Sequence, residues 1–236
     1  MPPLEQRLHA IDWPRVELDL DATGVATTGP LLDAHECATL RATYDAPDGF
    51  RSRVIMARHG FGRGEYRYFD DPIPSLVATI RTTAYEQLAP IANRWAERSK
   101  RDGRFPSTHV ALRAECAAAG QTRPTPLLLR YGPGDYNCLH QDLYGDLVFP
   151  LQLVILLDRP GQDFEGGELV LTEQRPRMQS RVQVVPLGQG EAAIFAVRDR
   201  PVNGTRGTYR VTMRHGVSVV RSGSRTTLGV IFHDAP

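Results

Sequence analysis

The second half of the chain is punctuated in a way that leaves few architectures open. From residue 125 onward, short apolar runs rich in Val, Ile and Leu recur: PLLLRY (126–131), FPLQLVILLD (149–158), GELVLTE (167–173), RVQVVPL (181–187), EAAIFAV (191–197), TYRVTMRHGVSVV (208–220) and RTTLGVIF (225–232). Gly, Pro and Asp turns separate them at spacings typical of an all-β sandwich or barrel. The first half reads differently. Asp33 and Glu36 fit a capping box that opens a helix over about 33–44. Residues 75–99 read as a helical stretch with Pro90 as a break or kink, and 107–119 as a third, Ala-rich helix. RSRVIMARH (51–59) and GEYRYF (64–69) look like two strands around a Gly-rich turn. The expected fold class is α+β, an eight-stranded jelly-roll barrel with an N-terminal helical layer packed outside it. No linker interrupts the 236 residues. They are expected to form a single domain, with 1–124 mainly helical support and 125–236 the barrel core.

Charge bears on partners. The balance of 28 basic to 27 acidic residues argues against a strongly nucleic-acid-seeking surface, but the distribution is uneven. Residues 1–50 carry a net −6, 51–130 a net +7 and 131–236 zero. Within the basic segment, Arg51, Arg53, Arg58, Arg63 and Arg67 interleave with Phe61, Tyr66, Tyr68 and Phe69. Cationic side chains beside stacking platforms are what nucleic-acid recognition uses. All but one of the basic residues are Arg, so Arg on a face is weaker support for phosphate binding than usual. The N-terminal residues MPPLEQRLHAIDWPR show no apolar h-region, so no signal peptide is expected, and the longest apolar stretch (147–157) is too short to span a bilayer and contains Pro150 and Gln152. The three Cys follow no metal-ligand spacing. A cytoplasmic protein with reduced thiols and no membrane contact is expected, with Cys138 a packed core thiol. Oligomeric state is not legible.

Among the seven His, the sharp pattern is His140-Gln141-Asp142. On a strand, residues two apart share a face, so this imidazole and carboxylate can reach one ion. His215 sits in TYRVTMRHGVSVV on the face of Val211, Met213 and Val217, which should point into the barrel. Two His and one carboxylate form the facial set that leaves positions open on non-haem Fe(II). Arg225 follows ten residues after His215, at the start of a strand, with Thr227 on its face. An inward Arg is costly unless it pairs with an anion. A dicarboxylate cosubstrate would supply one.

These residues resemble the Fe(II)/2-oxoglutarate-dependent dioxygenase superfamily, whose pattern is His-x-Asp, a distal His and an Arg about ten residues later in Arg-x-Ser/Thr. The resemblance covers about 125–235. RYGPGDYNCLHQD (130–142) is similar to the motif of AlkB-type nucleic-acid dealkylases, with eight fixed positions over thirteen residues. Leu129 stands where that motif has Asn, and Arg221 and Arg225 follow at closer spacing than its two Arg. The whole chain more closely resembles a small bacterial group described as nucleic-acid oxygenases, through EGGEL (165–169), EQRPRMQSR (173–181) and GSRTTLGVIFHDA (223–235). The resemblance implies a double-stranded β-helix and an oxidoreductase using Fe(II), 2-oxoglutarate and O2. His140, Asp142 and His215 would be metal ligands, and Arg225, Thr227 and Tyr131 would bind 2-oxoglutarate. It further implies hydroxylation of a C–H bond, with oxidative demethylation of alkylated nucleic acid (DNA repair) as the leading reaction. Arg63, Tyr66, Arg67, Tyr68 and Arg177 are the candidate substrate contacts, in a lid N-terminal to the barrel and in the loop after Gly166-Gly167. Two alternatives stand beside this: a protein side-chain or small-molecule hydroxylase, and a non-catalytic nucleic-acid-binding barrel.

Overall fold

The computed structural model describes residues 1–205 and 207–236. In chain order the elements are α1 (Leu4–His9), α2 (Trp13–Thr23), β1 (Val25–Pro30), α3 (Ala34–Thr43), β2 (Phe50–Ile55), β3 (Gly62–Arg63), β4 (Glu65–Phe69), α4 (Ser75–Arg98) and α5 (His109–Ala118). The second half contains β5 (Leu127–Tyr131), β6 (Tyr136–His140), β7 (Leu151–Leu156), β8 (Phe164–Gly166), β9 (Leu169–Gln174), β10 (Arg181–Val185), β11 (Glu191–Ala196), β12 (Asp199–Gly204), β13 (Gly207–Val217), β14 (Val220–Gly223) and β15 (Arg225–Ile231).

The strands form two main sheets and a short pair. The larger sheet runs β1-β11-β7-β15-β5-β4-β2, and the smaller β10-β9-β13-β6-β3 with β12 added on β13. β14 pairs with β8. The pairings are antiparallel, so each strand finds its neighbour through turns. The jelly-roll expectation holds, with more than eight strands in all, because β1, β2 and β4 from the first half extend the larger sheet and β3 extends the smaller. β15 is buried along its whole length, between β5 and β7 within the sheet and with α4 packed nearby. That central position is what allows its side chains to reach the barrel interior.

The capping box at α3 forms as expected: Asp33 accepts from the Glu36 N–H, and Glu36 accepts from the Asp33 N–H. Pro90 does not break α4, which runs unbroken from Ser75 to Arg98. Its buried face (Ile80, Ala84, Leu88, Ile91, Ala92, Trp95) lies in the main core, and that packing offsets the backbone hydrogen bond that Pro cannot make. α1 and α2 were not expected. Their signals are local: Asp12 caps α2 by accepting from the Arg15 N–H, Pro14 stands in its first turn, and only Val16 and Leu20 of α2 are buried. So short an apolar stripe shows little periodicity. No helix among the described residues is long and apolar enough to cross a membrane.

Candidate active site

His140 ends β6 and His215 lies directly opposite it on β13. Their ring centroids are 4.2 Å apart. His140 Nδ1 lies 2.8 Å from the Cys138 carbonyl. A carbonyl only accepts, so this bond places the proton on Nδ1 and leaves Nε2 as a lone-pair donor. Asp142 Oδ1 is 3.5 Å from His140 Nε2, and its Oδ2 is 3.3 Å from His215 Nε2. One ligand atom from each of the three residues lies within 4.8 Å of the other two. Burial alone would raise the Asp142 carboxyl pKa, but the adjacent His140 and His215 imidazoles outweigh it and hold the group well below the usual carboxylate range. Two imidazoles and an ionised carboxylate at this spacing fit Fe(II) as a facial set.

The strand argument for Asp142 needs correction. β6 stops at His140, and Asp142 lies in the irregular segment that follows. Two residues outside the expected site hold it in place. Tyr144 Oη donates to Asp142 Oδ1 at 2.9 Å, and Gln152 Nε2 donates to Asp142 Oδ2 at 2.9 Å. Gln152 Nε2 also lies 3.1 Å from His215 Nε2. Gln152 is the polar residue in the apolar run of β7, and a buried amide in such a run is the signal that could have found it. Tyr144, two residues beyond Asp142, had no comparable signal.

Arg225, Thr227 and Tyr131 line the same cavity as His140, Asp142 and His215, about 330 Å³ in volume. Arg225 pairs across the sheet with Tyr131, and its guanidinium lies 5.6 Å from the Tyr131 ring and 6.0 Å from Phe164. It is 3% exposed, yet its Nε and Nη1 have no hydrogen-bond partner among the described residues. Burial pushes its pKa down. Asp158 and Glu168 act on it only through space, so a buried cation with free donors among the described residues fits a carboxylate ligand. The Gly166-Gly167 turn makes room for it: a Cβ on Gly167, which has φ +63°, would lie 2.7 Å from Arg225 Cδ. Thr227 is buried, and the Tyr131 hydroxyl receives a long hydrogen bond of 3.4 Å from Asn137 Nδ2.

The substrate candidates divide. Tyr66 and Tyr68 both line the cavity, edge to face with centroids 5.4 Å apart. Tyr68 is buried, donates to Tyr144 Oη at 2.8 Å and carries Arg51 over its ring at 4.4 Å. It therefore supports the Asp142 network, while Tyr66 is half-buried. Arg67 is committed elsewhere: its Nη1 donates to the Tyr44 and Ala46 carbonyls, and its guanidinium lies near the Tyr44 and Phe50 rings. Arg63 is exposed on β3. Arg177 is exposed in a left-handed conformation between β9 and β10 and does not line the cavity. Cys138 is exposed on the cavity wall, which corrects the packed-core expectation, while Cys37 and Cys116 are buried.

The basic segment also proves less free than its charge suggests. Arg94 pairs with Glu17, Arg98 with Asp21 and Arg130 with Asp45, so part of the acidic first 50 residues neutralises it. Arg53, Arg81, Arg101, Arg104 and Arg113 have carboxylate partners as well. Arg58 and Arg63 are exposed and enter no ion pair among the described residues.

Comparison with known proteins agrees with this geometry. Solved structures with similar folds include a Pseudomonas putida prolyl-4-hydroxylase (TM-score 0.54, 17% identity, 92% of this chain and 96% of that one). A 2OG-Fe(II) oxygenase-family oxidoreductase from Burkholderia pseudomallei is also similar (TM-score 0.56, 16% identity, 94% and 92%). So is a Trichoplax adhaerens prolyl hydroxylase (TM-score 0.55, 14% identity, 98% and 92%). Two curated Mycobacterium tuberculosis proteins, both described as uncharacterized, are 48% identical over 167 residues, covering 71% of this chain and 72% of theirs. A family model described as an oxygenase catalysing oxidative methylation of damaged DNA matches residues 64–235. The chain belongs to this Oxygenase-NA family, an oxygenase on the fold of the 2-oxoglutarate/Fe(II) enzymes.

Proposed function

We propose that the protein is an Fe(II)- and 2-oxoglutarate-dependent dioxygenase that hydroxylates an N-methyl carbon of alkylated nucleic acid and thereby removes the methyl group. The observation that carries the reading is the unpartnered guanidinium of Arg225 buried in the same cavity as His140, Asp142 and His215. A binding module has no reason to keep such a pair of features. The three ligands would hold Fe(II), and Arg225 would take the far carboxylate of 2-oxoglutarate, with Thr227 and Tyr131 offering hydroxyl hydrogen bonds. Bound Fe(II), with 2-oxoglutarate and O2, supplies the oxidising power that turns a C–H bond into C–OH. The chain supplies orientation and exclusion of water. Gln152 and Tyr144 hold the carboxylate ligand at both oxygens, and Leu127, Leu129, Leu153 and Phe195 give the cavity apolar walls.

The substrate half rests on the family description of damaged DNA. Adding a methyl group to a base consumes no oxidant, whereas hydroxylating an N-methyl carbon gives a hemiaminal that collapses to formaldehyde and the free amine. An oxygenase site is therefore read as removing methyl groups. The test is a screen of the iron-loaded protein against methylated oligonucleotides, free methylated bases and peptides, with formaldehyde and 2-oxoglutarate consumption both measured. Formaldehyde from methylated oligonucleotides is the expected result. Turnover on peptides or free bases alone would overturn the substrate assignment. Absence of 2-oxoglutarate turnover at any iron loading would overturn the chemistry.

A further inference from the structure

The connection between β2 and β4 carries an aromatic pair that the catalytic geometry does not use. Phe61 is 47% exposed and lines the cavity, together with the exposed Gly60. The His59 ring stacks on it, with centroids 5.3 Å apart and planes 22° from parallel. Arg58 and Arg63, the exposed guanidiniums without ion-pair partners noted above, flank the pair at either end of the six residues 58–63. An exposed aromatic face at the rim of an active-site cavity gains nothing in the free protein, because its apolar area stays wet.

The pair is held in place. The His59 and Phe61 N–H groups both donate to the Met56 carbonyl, at 3.0 and 3.2 Å, and Met56 itself is buried against Tyr131 and Val220. The Phe61 carbonyl accepts from the Cys138 N–H at 2.9 Å, and Gly62 and Arg63 pair with Asn137 and Tyr136 of β6. Only glycine permits this approach at position 62, where φ is +128° and a Cβ would lie 2.4 Å from the Tyr136 carbonyl oxygen. Phe61 is thus pinned to the strand that ends in His140, so whatever stacks on it is registered against the metal ligands.

We propose that Phe61, backed by His59 and flanked by Arg58 and Arg63, is a platform on which an unpaired nucleobase stacks at the cavity mouth. The inference rests on the nucleic-acid reading of the site and names the residues that deliver it. A flat apolar ring beside two free guanidiniums matches a base joined to phosphates. β3 is an edge strand of only two residues, so it offers little backbone for a peptide to extend.

The test is binding of a short fluorescein-labelled single strand of DNA to the full chain with Fe(II) and 2-oxoglutarate under anaerobic conditions, read by anisotropy across a salt series. Phe61→Ala should weaken binding by roughly 5- to 150-fold, the range for losing one base–aromatic stack. Phe61→Trp should restore it. The Arg58→Gln/Arg63→Gln double variant should lower the slope of log K against log salt by about 1.4, the loss of two phosphate contacts on a single strand. Substitutions at these three exposed positions are expected to leave the melting temperature unchanged. If wild type binds the strand and Phe61→Ala binds it equally, the platform is refuted while the nucleic-acid reading stands. If wild type binds no single strand at low salt, or a labelled acidic peptide binds in its place, the nucleic-acid reading fails too.

Discussion

Replacing Arg225 with Met should separate function from stability in opposite directions. The side chain is buried, two of its donors are unpaired among the described residues, and what offsets its burial is two nearby rings at 5.6 and 6.0 Å and the through-space pull of Asp158 and Glu168. Desolvating a guanidinium costs several kcal/mol, and stacking over desolvated rings returns roughly 2 kcal/mol. Met fills much of the same volume without a charge, so the ligand-free variant should range from neutral to about 3 kcal/mol more stable. Its affinity for 2-oxoglutarate should collapse. Losing one partner of a buried charge pair costs about 2–5 kcal/mol, or roughly 30- to 4,000-fold. Thermal unfolding with and without 2-oxoglutarate reads both effects. At about 100 times the dissociation constant, wild type should gain about 2.7 kcal/mol, a rise of about 5–10 °C for a chain of this size. Arg225→Met should melt at or above ligand-free wild type and show no rise. A variant destabilised by more than about 2 kcal/mol that still responds to 2-oxoglutarate would refute the assignment, because Arg225 would then have a structural partner.

Three further outcomes are expected. Tyr144→Phe and Gln152→Leu each remove one hydrogen bond to Asp142 and should weaken Fe(II) or Co(II) binding about 10- to 100-fold, measured by chelator competition; affinities within twofold of wild type would show that the carboxylate needs no such support. Burial holds His109 and His233 neutral, with pKa values lowered to about 4, and the Phe149 N–H pointing at His233 Nδ1 opposes a proton there. A folded pKa below the unfolded 6.5 means the unfolded chain takes the proton first, so stability should be intact above about pH 6.5 and fall by up to about 3 kcal/mol per group as pH drops to 4, as acid titration of the denaturant midpoint would read; a flat profile would count against it. Asp234→Ala strands the buried Arg81, which also donates to the Ile231 and Phe232 carbonyls, and should cost roughly 3–5 kcal/mol and about 10 °C in melting temperature; a change under about 2 °C would mean that solvent reaches Arg81.

The sequence by itself determined the parts that depend on short-range pattern. Strand punctuation after residue 125 predicts the barrel, the Asp33–Glu36 spacing predicts a capped helix, and ten residues between His215 and Arg225 place both side chains in one cavity, since strand periodicity and turn chemistry act over a few residues. The match over 130–142 found His140 and Asp142 even though the strand argument for Asp142 does not hold. Only the tertiary structure decided what each charged or polar side chain faces. It joined Gln152 and Tyr144 to Asp142, turned Arg67 toward backbone carbonyls and paired Arg94, Arg98 and Arg130 with an acidic segment far away in the chain. A hydrogen bond or ion pair is a matter of a few ångströms in space, and nothing in the order of residues states which distant partners the fold will bring that close.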